Sequence, residues 1–223
     1  MRKALEIGGF VAGAVLIVFG IAAVALAING GNTVNNNLKW QQITGSSDMT
    51  PAAIKAEATS SGLKPGTYPV PSCSVAGKAI DTGAKARCFA QYMQIHAFEA
   101  AGGFTYAQMG MYVAKPGTPK AQLTPDGATS NKVYAQTDPT TKQPVANGAR
   151  NVWVTETALT TALNVAYMGT QLSLFSIVVG IALILAGIGF VILDWAALHR
   201  RRETTVVIPD APPVTPEKEP ALV

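Results

Sequence analysis

Few side chains in this sequence are able to do chemistry. Of its two histidines, His96 and His199, only His96 lies in the long polar middle of the chain. At helical spacing it neighbours Tyr92 on the turn before and Glu99 on the turn after. An imidazole beside a carboxylate and a phenol has the makings of a proton-transfer group or part of a metal site. The same stretch also has a plainer reading. Phe89, Met93, His96 and Ala100 recur on one face, and a lone histidine on such a stripe is ordinarily a packed, hydrogen-bonded residue. Coordinates separate the two: Glu99 and another carboxylate or amide within reach of His96 in an open pocket favour chemistry, whereas a His96 buried among apolar neighbours favours a binding module.

The remaining search returns negatives. The chain has no Gly-x-Ser-x-Gly, His-Glu-x-x-His, Walker loop, EF-hand or dinucleotide fingerprint. Between the two apolar runs the acidic residues are Asp48, Glu57, Asp81, Glu99, Asp126, Asp138 and Glu156, of which Asp48 and Asp81 read as helix-start residues. Glu99 is then the best partner for His96, and Tyr92, His96 and Glu99 are the candidate polar site. No catalytic residue, metal site or cofactor is predicted. The two cysteines, Cys73 and Cys88, lie in the same middle segment. A zinc site wants about four Cys or His ligands and a redox centre more naturally shows Cys-x-x-Cys, so the expectation is a disulfide worth roughly 3 kcal/mol.

The elements that must position these groups follow from punctuation. Thr50-Pro51 opens a helix that Gly62 ends, and Leu63 to Gly77, with three prolines, is an ordered loop. The strongest internal helix runs from about Thr82 to Ala101, with Asp81 as N-cap and Gly102-Gly103 as its stop. Thr105 and Gln108 form a capping box for a shorter helix through Met111 and Tyr112. Lys132 to Gln136 and Asn151 to Thr155 are β-type runs that allow a short hairpin. A helix starting at Thr155 or Glu156 continues into the second apolar run.

Those apolar runs, Ile7 to Ile28 and Leu172 to Leu193, contain no Asp, Glu, Lys, Arg or His. At about 1.5 Å per residue each reaches about 33 Å, enough for a hydrocarbon core of roughly 30 Å. The chain therefore reads as a mainly α membrane protein: a two-helix transmembrane hairpin carrying a small, mostly helical outer domain. Its parts are a terminus at 1–6, spans at 7–28 and 172–193, the outer domain at 29–171, and a juxtamembrane segment with a disordered Pro-rich tail at 194–223. Gly30 to Asn37 suits a flexible exit from the bilayer or a frayed helix end. Arg2 and Lys3 before the first span and Arg200, Arg201 and Arg202 after the second place both termini in the cytoplasm, where the same residues anchor on anionic lipid. Met1-Arg2-Lys3 and Ala25-Leu26-Ala27 have the look of a cleaved signal peptide, but the apolar run exceeds the roughly 7–15 residues of that class. Small residues repeat at heptad spacing, Gly13, Gly20 and Ala27 in one span and Ser173, Gly180 and Gly187 in the other, and Gly9 adds a small-xxx-small contact with Gly13.

With 48% apolar and 13% charged residues the chain is no disordered polar polymer, and its net charge of +4 is spread over single lysines rather than a stripe, so nucleic acid is not an expected partner. The segments Asp48-Met49-Thr50-Pro51-Ala52-Ala53-Ile54, Met93 to Ala100 running into Gly102 to Gly110, and Asn151 to Thr155 resemble those of small two-span membrane proteins of actinobacteria. The resemblance covers nearly all the chain except the tail and implies a bacterial plasma membrane. Some members carry the name of an aromatic ring-opening dioxygenase. That chemistry wants a triad of two histidines and one carboxylate, and this middle segment offers His96 alone. The expected function is a non-catalytic envelope role: binding, scaffolding or service as accessory subunit, with a lipid bilayer and an envelope protein or a second copy as partners. The alternative is an envelope enzyme or metal-binding protein centred on His96 and Glu99.

Overall fold

Helix dominates because the sequence supplies long uninterrupted runs of helix formers and confines its prolines to the stretches between them. A computed structural model describes residues 2–63 and 69–202, with side chains over 7–63 and 69–196. The order is α1 (Arg2–Trp40), α2 (Pro51–Ser60), α3 (Gly83–Ala100) and α4 (Gly148–Arg202), with single 3₁₀ turns at Tyr106–Gln108, Lys120–Gln122 and Lys132–Tyr134. The Pro-rich tail, part of the loop after Leu63, and the side chains of Arg2, Lys3, His199, Arg200, Arg201 and Arg202 lie outside the described residues.

Two helices are long and apolar enough to cross a membrane, within Ile7–Trp40 and Gly148–Ala196, each with a mean hydropathy of 2.8. Only 17% and 11% of their most apolar windows are buried, and Phe19, Leu26, Phe175 and Leu193 are all more than 60% exposed. A core helix of a water-soluble fold would hide such residues. The described residues divide into two compact units, one from 2–22 with 179–202 and the other Ala23–Val178. In the first, the helices are antiparallel and touch at glycine: a Cβ on Gly13 would stand 2.8 Å from the Gly187 carbonyl oxygen, and one on Gly20 would stand 2.6 Å from that of Gly180. Gly9 faces the Asp194 carboxyl. In the second unit, the Ser173 hydroxyl donates to the Ala27 carbonyl.

The second unit also holds the polar domain. Its larger core gathers Leu38 of α1, Ile54 of α2, Phe89, Tyr92 and Ile95 of α3, and Leu163 of α4, with Val75 and Ile80 from the intervening loop. A smaller one joins Phe98, Ala101, Met109 and Trp153. Cys73 and Cys88 are disulfide-bonded, with Cα atoms 6.2 Å apart, tying the loop to the first turns of α3.

Several expectations are corrected. Thr82, not Asp81, caps α3: its hydroxyl accepts from the Lys85 N–H, while Asp81 pairs with the Lys85 ammonium at 2.7 Å. Gly30 to Asn37 is helix, because α1 runs on to Trp40 and packing outweighs the weak propensity of its Gly and Asn residues. The helix expected after Thr105 stops after one 3₁₀ turn, since Gly110 leaves the helix to approach the Thr129 backbone, where a Cβ would come within 2.5 Å of its nitrogen. The β-hairpin is not found. Lys132–Tyr134 is a 3₁₀ turn and Asn151 to Thr155 belongs to α4, which starts at Gly148 with the Asn147 side chain accepting from the Ala149 N–H. Trp153 packs into the smaller core at helical, not strand, periodicity. Isolated antiparallel bridges such as Ala114 with Ala135 and Thr137 with Pro144 occur instead, without a strand among the described residues.

Candidate functional site

His96 is carried one turn before the end of α3, where Gly102 and Gly103 take φ of +67° and +81° and stop the helix. Packing of α2 against α3 brings Glu57 to it across 39 residues of chain, with His96 Nδ1 and Glu57 Oε1 2.6 Å apart. The Glu99 carboxyl also lies close enough to Glu57 to influence its titration. Burial first, and then the neighbouring Glu99 carboxyl, raise the Glu57 pKa above its ordinary value, against the opposing pull of His96. The other ring nitrogen, Nε2, is buried without a hydrogen-bond partner.

Asp48, in the turn before α2, completes the group. One atom each of Asp48, Glu57 and His96 lie within 4.8 Å of one another. The Ser46 hydroxyl donates to the Asp48 carboxylate and is the largest reason its pKa lies below the ordinary value, with the approach of His96 a smaller one. Carboxylate and imidazole ligands of this kind suit a divalent cation, and a carboxylate holding the Nδ1 of a histidine is also how a general base is oriented.

The candidate residues do not all meet. Glu99 reaches the site through Glu57, whereas Tyr92 is fully buried, with burial raising its pKa, and its hydroxyl donates to the Cys73 carbonyl at 2.5 Å. Tyr92 therefore braces the disulfide loop. Glu57 and Asp48 were not legible as partners of His96, because contacts over such separations leave no periodic signal.

Beyond His96 opens a cleft of about 440 Å³ between α3 and the start of α4. Its walls are mostly apolar, with Met93, Ala97 and Ala100 on one helix and Val152 and Leu159 on the other. Glu156 lines it too, at 4% exposure. Burial raises its pKa above the ordinary value, against the opposing influence of the Thr160 and Thr157 side chains, and its Oε1 is buried without a hydrogen-bond partner, as is His96 Nε2. The sequence predicts a helix start at Thr155 or Glu156, whereas Glu156 lies inside α4. The signal that places it was present: Trp153, Glu156, Thr160 and Leu163 follow one another at helical spacing, and all four are buried. No protein-family model, curated protein or solved structure matches this chain. The function must therefore be argued from the geometry itself.

A second polar centre is structural. Asp126 accepts from the Gly110 N–H, the Thr124 hydroxyl, the Ala128 N–H and the Asn147 amide, which at 2.7 Å is among the shortest of these bonds. Burial pushes this carboxyl up, and the four donors together outweigh it, so its pKa lies below the ordinary value.

Proposed function

We propose that the protein is a two-span protein of the bacterial plasma membrane with both termini in the cytoplasm and its middle domain outside, where it acts as a non-catalytic binding or scaffolding module, or as accessory subunit to a larger membrane assembly. The observation that carries this reading is a disulfide-tied domain whose core includes residues of α4, the same unbroken helix that contains the second apolar run. A disulfide belongs to an oxidising compartment, and an apolar helix continuing from a polar domain belongs to a membrane anchor. The lipid bilayer is one partner, and an envelope protein or a second copy of the chain is the other.

Topology is tested by labelling single added cysteines from outside intact cells. A reporter near Thr118 should react and one at Thr215 should not; labelling of the tail would overturn the orientation. Capture of the intact protein from detergent-solubilised membrane, followed by mass spectrometry, should recover a stoichiometric envelope partner or a second copy.

A second reading, a metal-binding or catalytic centre, is favoured by the grouping of Asp48, Glu57 and His96, with Glu99 behind Glu57. On this reading a divalent cation sits among Asp48, Glu57 and His96 and relieves the crowding of the two carboxylates. Titration of the purified protein with Zn²⁺ or Mn²⁺ should then show one site, lost in Glu57→Gln and in His96→Ala. Tight binding with turnover dependent on His96 would replace the non-catalytic reading.

A further inference from the structure

We infer that the start of α3 and the stretch of α4 entering the second apolar run together bind one anionic glycerophospholipid, its phosphate on Arg87 over the Tyr167 ring and an acyl chain along Leu174, Phe175 and Val178. The inference rests on the reading of that run as a membrane span and names the lipid class that the outer side of the protein selects.

Arg87 carries a charge that the fold leaves unbalanced. Its side chain is exposed on the second turn of α3, and its guanidinium stands 4.7 Å from the centroid of the Tyr167 ring. It forms no ion pair among the described residues, and Asp81, the acidic residue nearest to it in sequence, already pairs with the Lys85 ammonium at 2.7 Å. A guanidinium is charged at every physiological pH, and its planar fork takes a phosphate in bidentate fashion while its face stays on an aromatic ring. The missing partner is an anion.

Depth decides which anion. The first turn of α3 packs on α4 beside the apolar run: a Cβ on Gly83 would meet the Thr170 side chain and stand 3.0 Å from the Tyr167 Cα. Tyr167 precedes Leu172 by about 7 Å of helix rise, and the headgroup layer adds roughly 5–7 Å to each side of the hydrocarbon. Arg87 and Tyr167 are therefore at headgroup depth, where the Gln171 amide holds the Tyr167 hydroxyl at 2.6 Å.

Helical spacing supplies the tail. Tyr167, Gln171, Leu174, Phe175 and Val178 share one face of α4, and the last three are each more than half exposed. A soluble phosphate would gain nothing from those apolar side chains, whereas a lipid whose head rests on Arg87 lays a chain over them. Choline or ethanolamine lipids bring a cation of their own to the phosphate. Arg87 thus favours a headgroup without one, as in phosphatidylglycerol.

The test uses the full chain in non-ionic detergent, titrated with diheptanoyl phosphatidylglycerol and with the phosphatidylcholine of the same chains. Methyl-¹³C labelling of the methionines gives a local reporter, since Met168 is exposed and adjoins Tyr167 in sequence. Phosphatidylglycerol should shift the Met168 methyl saturably, and phosphatidylcholine should bind about tenfold more weakly. Arg87→Gln should remove that preference by weakening phosphatidylglycerol about tenfold, while Phe175→Ser should weaken both lipids together. Replacing Arg200, Arg201 and Arg202 by Gln controls for the other basic cluster and should leave the Met168 response unchanged. Each variant is first shown to retain its disulfide and its thermal transition. Equal affinity for the two lipids, an unchanged affinity in Arg87→Gln or Phe175→Ser, loss of the response in the triple variant, or no Met168 shift in folded protein would overturn the inference. So would an equal response to glycerol phosphate, which has the anion without the chains. A short-chain lipid in detergent reaches the site whichever way round the chain inserts, so failure here is distinct from a failure of the topology, which labelling of intact cells decides.

Discussion

Glu57 and Asp126 are carboxyl groups pushed in opposite directions, and the stability of the domain should record both. Glu57 titrates higher in the folded chain than its ordinary value of 4.5, so the stability tied to it is fully present below that pH and is lost as pH rises through the folded pKa. Glu57→Gln keeps the shape without the titration. It should flatten the decline in melting temperature above pH 4.5, measured by circular dichroism in detergent. Asp126 has the reverse sign: its folded pKa lies below 3.8, so its contribution is present above that pH and vanishes as pH falls through the folded value. Asp126→Ala leaves two backbone N–H groups, a hydroxyl and an amide without their acceptor and should cost about 1–3 kcal/mol at neutral pH. A melting temperature equal to wild type would show that water satisfies those donors unaided.

At the scale of elements, the disulfide and the glycine contacts make separate predictions. Cys88→Ser removes a cross-link closing a loop of 15 residues and should lower stability by about 2–4 kcal/mol, read as a drop in melting temperature that reductant reproduces in wild type. Gly13→Leu forces a side chain into the Gly187 carbonyl and should destabilise the helix pair by about 1–3 kcal/mol in detergent unfolding. Gly8→Leu, where nothing lies within 4 Å, is the control and should be neutral. The elements legible in the sequence were those marked by local chemistry: the Thr50-Pro51 start of α2, the Gly102-Gly103 stop of α3, and the two apolar runs. What was not legible depended on distant partners. The sequence predicts the start of α4 at Thr155 or Glu156, seven or eight residues after Gly148, because Trp153 reads as strand-forming until Phe98 and Met109 are known to cover it. His96 was visible as a candidate, but Glu57 and Asp48 meet it only through the docking of α2 on α3.

For the whole molecule, the Phe, Leu, Ile and Val side chains exposed along both long helices are what the proposed two-span reading would place against lipid. The protein should remain in the membrane fraction after an alkaline carbonate wash and should need detergent for release; recovery in the wash would count against the spans. On the proposed orientation, the bond between Cys73 and Cys88 depends on which way round the chain inserts. A chain inserted the wrong way round would hold its domain in a reducing cytosol, where thiols stay unpaired. Such a copy would lack the cross-link that fastens the Tyr92-braced loop to α3, and would open more readily to proteases there. On that orientation the same covalent bond would stabilise only the copies whose domain lies outside.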